Sequence, residues 1–412
     1  MQWLINKQRN ERMKVSLPGH LVNIPGVKVL YDDYKTTRAE AGAIMFKDLQ
    51  VNIVSEISPR QMLEIVRTLL EPAALGLTPL MAVQTLIEMR TGIMQLLRGD
   101  NMRKETYSHS FARKLPKAGP SGMDCGHSLS NKGKMNDSGR IEFVGVLPAR
   151  NPILCLLAAR GMGSVVRFGV LGEPVPDFTD AKDYFQRPVL RSTTSFKTAV
   201  SYKQQLDNLD KLFLFLGIKV SKKTHQGRAQ GQRDLDELGV CWHAIARLAH
   251  YLHDAQMTSY LTNLPITALL GAAGYCIDFP RAAGAPHLAV VVQAVLLAML
   301  APWFEAAEAK VEDAITSCPT GKQVEEQQLY SASGALSYIK LSLKTLLQVA
   351  AARERDEEGN IMFDKQCMAR QYPQNYVFKL PVFFSAEFVA FQKLSTGRSA
   401  QPAYIEHNTI EN

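Results

Sequence analysis

The sequence contains no apolar run long enough to cross a bilayer. Its best run extends from His287 to Leu300, has Gln293 inside it and is followed by Pro302 and Trp303. These 14 residues fall short of the roughly 20 consecutive apolar residues that a membrane-spanning helix needs. We therefore expect no membrane partner and interpret the run as a buried core helix.

Cysteine pairs with metal-binding or redox spacing are also missing. No Cys-x-x-Cys occurs and the N-terminus carries no secretory signal, so we expect a reduced compartment and no structural zinc. In the segment DCGHS, Cys125 and His127 are two ligand-type residues without a second pair, which falls short of a metal site. The six cysteines are Cys125, Cys155, Cys241, Cys276, Cys318 and Cys367.

Acidic residues are scarce in one part of the chain. The net charge of the 412 residues is +8. Between Arg187 and Arg233 there are ten Lys or Arg and only two acids, Asp207 and Asp210, so this stretch alone carries +8 and the rest of the chain sums to zero. Clustered cations release counterions from a phosphate backbone, so the stretch predicts a surface that faces a polyanion. The alternative is a solvated basic face without a partner.

The periodicity predicts a mainly α-helical protein. With 46% hydrophobic and 21% charged residues, the chain has a globular composition, and its length favours two or three structural units. Helices are predicted from Ser58, from Thr78 to Leu97, in SYKQQLDNLDKLFLFLGI and from residue 323 to 353. Residues 117–140, rich in Gly, Ser and Asn, predict a long loop, and the following IEFVGVL predicts a strand. The fold class is therefore mainly α with a minor antiparallel β element, an α+β fold.

The sharpest local motif is THQGRAQG, which places His225 and Arg228 in a His-x-x-Arg arrangement after Lys222 and Lys223. A chance match to so short a motif is common, so the spacing alone proves nothing. Its context is more informative. Arg98 in LLRGDNMR comes first, a lysine on the Gly/Ser loop follows, and after the pair comes a tyrosine in MTSYLTNLP.

This succession resembles tyrosine recombinases. The segments LLRGDNMRKETYS, SGRIEFVGVLPARNPILCLL, GEPVPDF, SYKQQLD, KKTHQGRAQGQRDLDELGV and MTSYLTNLP resemble the recombinase domain of fungal Crypton transposons. They are equally similar to the DNA-binding domain in the large subunit of the fungal centromere-binding kinetochore complex. The resemblance implies a tyrosine recombinase/integrase-like catalytic-domain fold. It also implies three parts: a helical segment over 1–75 that is a partial core-binding remnant, a recombinase-like DNA-binding domain over 76–270, and a C-terminal helical extension over 271–412.

The resemblance also implies roles for individual side chains. Arg98 and Arg228 would bind the two non-bridging phosphate oxygens, His225 would assist proton transfer, and Tyr260 would be the nucleophile. A phenol is a poor nucleophile at neutral pH, so its proton must be removed as it attacks. The general acid would be a lysine of the loop, either Lys134, which fits better, or Lys132. The covalent phosphotyrosine stores the bond energy, so we expect no metal, nucleotide or other cofactor.

One position departs from the pattern of these enzymes. Nine residues before Tyr260, where they carry Trp or His, the chain has Tyr251, with His250 beside it. Because the geometry around the nucleophile depends on this aromatic, the departure bears on catalytic activity more than on the fold. Further contacts with the DNA are expected from basic side chains, namely Arg103, Lys132, Lys203, Lys222, Lys223 and Arg233.

Three functions compete. The first is binding of double-stranded DNA without catalysis, as in the kinetochore relative, which implies a nuclear location and a homodimer. The second is an active recombinase that cleaves and rejoins DNA through Tyr260. The third is a helical scaffold whose basic face meets an acidic protein. Each site residue also has an ordinary alternative: Arg98 as a helix cap, Tyr260 as a core aromatic, and His225 and Lys134 as loop residues.

Overall fold

The computed structural model describes residues 56–115, 123–130, 142–220, 222–250, 264–277, 286–319, 323–356, 358, 360–362 and 366–399. The chain divides into two compact units, residues 1–56 and 57–412. All elements below belong to the second unit. The three-part division at residues 75 and 270 stays a prediction.

The described residues form helices and one small antiparallel sheet, as the fold class predicted. The strands are β1 (Ser110–Leu115), β2 (Met123–Ser130) and β3 (Glu142–Val146). The helices are α1 (Pro59–Leu70), α2 (Pro79–Gln95), α3 (Gly99–Lys104), α4 (Leu156–Ser164), α5 (Ala181–Tyr184), α6 (Tyr202–Phe215), α7 (Lys223–Glu237), α8 (Trp242–Leu248), α9 (Ile266–Ala272), α10 (Ala294–Leu300), α11 (Phe304–Thr316), α12 (Gln323–Ala351), α13 (Met368–Gln371) and α14 (Ala386–Ser399).

The first two helices begin where the sequence signals placed them. Ser58 caps α1 by accepting a hydrogen bond from the Gln61 backbone N–H at 3.2 Å, and the Gln61 side chain accepts from the Ser58 N–H at 2.9 Å. This reciprocal pair satisfies two amides that a helix start leaves without partners. Thr78 caps α2 in the same way from its side-chain oxygen. Both helix predictions are confirmed.

The sheet has the order β1-β2-β3, with both pairs antiparallel. Its central strand lies within the stretch predicted as a loop, so that prediction is wrong for residues 123–130. One glycine of this stretch has a packing role instead: a Cβ on Gly126 would lie 2.5 Å from the ring of Tyr338 on α12. Pairing on both edges of β2 outweighs its weak strand composition.

The long helix α12 packs along α4 and β1 at the centre of the hydrophobic core. The α4 and α12 backbones lie so close that a Cβ on Gly161 would be 2.5 Å from the Ser342 carbonyl oxygen. The C-terminal helices therefore share one core with the sheet and the helices before it.

The apolar run from 287 to 300 does not form the single buried helix that was predicted. It forms a 3-10 turn (Pro286–Ala289) and the short helix α10, and Val291 is 83% exposed. Three consecutive β-branched residues at 290–292 disfavour a continuous helix because their side chains restrict χ1 rotation. In the described part of the chain, no helix has the length and apolar character that a membrane crossing requires.

Candidate functional site

The THQGRAQG motif lies on α7, which packs closely against α2. A Cβ on Gly227 would lie 3.0 Å from the Met89 carbonyl oxygen, and one on Gly231 would overlap the backbone at Ile93. The two glycines stand one helical turn apart, so they form one contact face. Their missing side chains let the α7 backbone rest on α2. This packing places the first half of α7 against the C-terminal half of α2.

Arg228 is buried beside this contact and joins three helices. Its Nη1 donates to the Leu96 carbonyl at 2.5 Å, and its Nη2 donates to the Ala249 carbonyl at 2.6 Å. Leu96 is the C-cap of α2, in the left-handed conformation with φ 51°, and Ala249 is the C-cap of α8. Helix C-termini expose carbonyl oxygens and partial negative charge, so a guanidinium stabilises both ends. The bonds described for Arg228 are therefore to the protein's own backbone.

Arg98 and Arg103 are carried by the short helix α3, which follows α2 directly. Arg98 is the N-cap residue of α3 and is half-buried. Arg103 lies in the last turn, where its Nη1 donates to the Gln205 side-chain oxygen and its Nη2 donates to Asp100 Oδ1 at 3.2 Å. Its guanidinium carbon lies 5.4 Å from the centre of the Tyr202 ring.

His225 shows that these cations converge. Its imidazole lies in the first turn of α7 and is exposed. Partial burial lowers the pKa of His225, and four neighbouring cations lower it further: Arg98, Lys222, Arg228 and Arg103. Like charges disfavour the protonated imidazole, so the potential here is positive. We call Arg98, Arg103, Lys222, His225 and Arg228 the cationic cluster.

The N-terminus of α7 adds to this positive potential. Lys222 is its N-cap residue, and no side chain caps the helix start. The helix dipole places partial positive charge at this end, where cations are unfavourable and anions are stabilised. The neighbouring Lys223 pairs with Asp210 of α6 at 2.5 Å. Lys222, exposed to solvent, is therefore the better placed of the two lysines to meet an external anion.

The other predicted site residues are more scattered. Lys203 is exposed on the first turn of α6, next to Tyr202. Arg233 lies eight residues beyond His225 on α7, about 12 Å along the helix axis, and its Nη2 donates to Gln230 at 3.0 Å. Four predicted residues lie outside the described residues, namely Lys132, Lys134, Tyr251 and Tyr260. The structure thus brings together Arg98, His225 and Arg228 of the predicted catalytic set.

The basic stretch from 187 to 233 is only partly a surface. Arg187 and Arg191 are buried, and both bond Glu173, at 3.4 and 2.8 Å. Arg167 bonds the same carboxylate at 2.5 Å. We call these four residues the Glu173 network. The surface that charge counting predicted is therefore smaller, because two of its ten cations are paired inside the fold.

Sequence reasoning missed the residues that surround Arg103. Gln205 is 1% exposed and nothing in SYKQQLD marks it as a partner of an arginine a hundred residues away. Glu88, in the middle of α2, lies near the same groups. Burial raises the pKa of Glu88 to about 8, although Gln205 and Arg103 partly offset the effect. Only the three-dimensional contact reveals this set.

Cys125 and His127, the two ligand-type residues of DCGHS, lie on the central strand of the sheet. Both residues are buried on β2, and the His127 ring stacks on Phe111 with centroids 4.6 Å apart. Burial raises the pKa of the Cys125 thiol to about 12, and burial, with a smaller contribution from Arg113, lowers that of His127 to about 4. Within the described ranges, no three His, Cys, Asp or Glu side chains are grouped as metal ligands would be.

Comparison with known proteins gives one finding. Among curated proteins there is no match. The profile of the family described as "Centromere DNA-binding protein complex CBF3 subunit, domain 2" matches residues 33–389. That range covers well over half of the 412 residues and includes the cationic cluster and the whole sheet. The chain belongs to this family of centromere DNA-binding protein complex CBF3 subunits.

Proposed function

We propose that the protein binds double-stranded DNA at centromeres, in the nucleus, and that the cationic cluster contacts the phosphate backbone. The observation that carries the proposal is the convergence of Arg98, Arg103, Lys222 and His225 around the exposed first turn of α7. The family description supports the choice of DNA as the polyanion.

The physical argument is one of charge matching. Guanidinium groups bind phosphate oxygens with two parallel hydrogen bonds, and an uncapped helix N-terminus offers backbone amides to the same anion. A phosphate in the cluster would relieve the repulsion among its cations. Binding of this kind is largely independent of base sequence, since phosphate contacts fix position rather than specify bases.

Arg228 has a different part in this proposal. Its two described backbone bonds hold the ends of α2 and α8 against α7. We propose that it fixes the geometry of the cluster and adds to its potential, while Arg98 and Lys222 make the outer contacts.

A second candidate function is DNA cleavage and rejoining by a tyrosine-recombinase mechanism. The proximity of Arg98, His225 and Arg228 favours it, because these are three of the residues that the resemblance assigns to catalysis. The tyrosine at position 251, where such enzymes carry Trp or His, favours binding alone. We rank binding first, and we propose a homodimer as its form on DNA.

The test of binding is a titration of a short duplex over a series of salt concentrations. Replacing Lys222 by alanine should weaken binding to all duplex sequences and flatten the slope of log affinity against log salt by about 0.9 for each phosphate that the variant no longer neutralises. Lys182→Ala, which removes an exposed lysine on α5, is the matched control and should leave the slope unchanged. An unchanged slope in Lys222→Ala would remove this lysine from the interface.

Cleavage is tested separately with a duplex nicked beside the cleavage position, which traps any covalent intermediate. If the chain is a binding protein, no covalent adduct forms, and Tyr260→Phe leaves duplex affinity unchanged. An adduct that the Tyr260→Phe variant abolishes would establish the recombinase function instead.

A further inference from the structure

Arg103 is held more firmly than an arginine at the end of a short surface helix would be by itself. Three groups contact its guanidinium: the Gln205 side-chain oxygen accepts from Nη1, Asp100 accepts from Nη2, and the Tyr202 ring lies beneath the guanidinium carbon. Only 16% of the Arg103 side chain is exposed. An arginine loses rotamer entropy when it is fixed, so a side chain that is already fixed loses less on binding.

Gln205 is itself fixed in place. It is 1% exposed on α6, and a Cβ on Gly99 of α3 would lie 3.3 Å from its Nε2 and 3.4 Å from its Oε1. The amide therefore packs directly against the α3 backbone. This packing connects the first turn of α3 to the end of the Arg103 side chain.

Tyr202 differs from Gln205 because it faces solvent. Its side chain is 54% exposed, and it is the first residue of α6, where Ser201 caps the helix. A large aromatic in such a position gains little from burial, and the described contact of its ring is with the Arg103 guanidinium. A cation over a tyrosine ring within about 6 Å is attracted to the face of the ring.

We propose that Tyr202 and Gln205 are positioning residues that preorganise Arg103 for a DNA phosphate. The inference rests on the proposed function, since it assigns Arg103 to the phosphate backbone. The Tyr202 ring supports one face of the guanidinium. Gln205 accepts a hydrogen bond from Nη1 and so fixes the directions in which the other N–H groups point. Neither residue carries a charge, so each acts on the electrostatics of binding only through Arg103.

The salt dependence of duplex binding separates this role from a purely structural one. Tyr202→Ala should lower affinity and also flatten the salt slope towards that of Arg103→Ala, although it removes no charge. Tyr202→Phe keeps the ring and should keep both affinity and slope. In the double variant with Arg103→Ala, the Tyr202→Ala change should have no further effect on affinity, because the residue through which it acts is gone.

Gln205→Met provides the second measurement, because methionine keeps the volume and removes the acceptor. It should flatten the slope in the same way, with thermal unfolding measured in parallel to confirm that the variant is folded. If Tyr202→Ala lowers affinity equally with and without Arg103, the tyrosine contacts the duplex by itself and the inference is overturned. If neither variant changes affinity or slope while Arg103→Ala does, it is overturned as well.

Failure of the proposed function gives a different result. If the unaltered protein shows no salt-dependent binding to duplex DNA, both proposals fall together. If the unaltered protein binds duplex DNA and the Tyr202 and Gln205 variants bind just as it does, the proposed function is kept and the positioning role is overturned.

Discussion

Two groups of cations in this protein are balanced in opposite ways. In the Glu173 network, three buried arginines share one carboxylate, and Arg187 also bonds Asp183 at 3.1 Å. In the cationic cluster, burial lowers the pKa of His225 and the neighbouring cations lower it further. Both groups draw residues from the same basic stretch of the sequence. The first group is paired with an acid inside the fold, whereas the second places Lys222 and His225 at the surface beside the buried Arg228.

This difference supports the proposed position of the DNA interface better than the charge of the stretch does. Burying a cation is costly unless it is paired or hydrogen-bonded, so the shared internal carboxylate of Glu173 identifies its three arginines as structural. Cations that the fold gathers at the surface, where they repel one another, are instead stabilised by an external anion. Each half of this comparison can be tested with a single substitution.

The largest effect is expected from the acid of the Glu173 network. Glu173→Gln removes the charge that three buried guanidiniums share, so it should lower the free energy of unfolding by about 3–5 kcal/mol. The measurement is denaturant unfolding at neutral pH. Asp183→Asn is the control: it touches the same network but is 21% exposed, and it should cost much less. An equal loss in both variants would show that Glu173 is not the centre of the network.

A second effect concerns Glu88, the acid buried beneath Arg103. Its folded pKa of about 8 lies above the ordinary value of 4.5, so the folded chain keeps a proton that the unfolded chain releases. The Glu88 contribution to stability is therefore present below pH 4.5 and is lost as the pH rises towards 8.

Glu88→Gln removes this loss because glutamine does not titrate. The difference in unfolding free energy between the variant and the unaltered protein should shift by about 3 kcal/mol in favour of the variant as the pH is raised from 5 to 8. Unfolding curves at the two pH values give the comparison. A difference that does not change with pH would mean that Glu88 is ionised at neutral pH and already balances the charge of Arg103. The cationic cluster would then also be paired with an internal acid, and the two groups would no longer differ in this respect.

The sequence was sufficient for the elements whose signals are local. Ser58 and Thr78, each followed by proline, mark the starts of α1 and α2, and Gly217 and Gly239 lie just beyond the ends of α6 and α7 with φ values of 65° and 74°. These signals act within a few residues of the chain, so they do not depend on the tertiary fold.

The parts that sequence reasoning missed depend on distant contacts. The composition of residues 117–140 indicated a loop, but Gly126 within it makes room for Tyr338, more than two hundred residues later. Arg187 counted as a surface cation but bonds Glu173, which lies outside the basic stretch. The motif singled out His225 and Arg228, whose roles in the site stay a prediction, and the contacts of Arg228 with two helix ends could not be derived from its spacing. Charge counts and short motifs contain no information on burial.

A smaller effect is expected from the titration of His225. Burial and neighbouring cations lower its pKa in the free protein, and a bound phosphate would raise it, because an anion favours the charged imidazole. Binding therefore takes up a proton, and duplex affinity should rise as the pH falls, by about fivefold between pH 7.5 and 6. His225→Gln should remove this dependence. The control is His243→Gln, an exposed histidine on α8, which should retain it.

The smallest effect is expected from Asp100, the carboxylate that lies against the cluster from outside. It pairs with Lys104 at 2.7 Å and with Arg103 at 3.2 Å, and 57% of its side chain is exposed. Such exposed pairs are worth little to stability, but the negative charge also repels an approaching phosphate. Asp100→Asn should therefore raise duplex affinity by about twofold at low salt, and the gain should vanish as salt screens the charge. Glu312→Gln on α11, where the side chain is also exposed, should give no gain. A loss of affinity in Asp100→Asn would mean that the hydrogen bond from Arg103 to this carboxylate matters more for binding than the repulsion of the phosphate, and Asp100 would then belong with Tyr202 and Gln205.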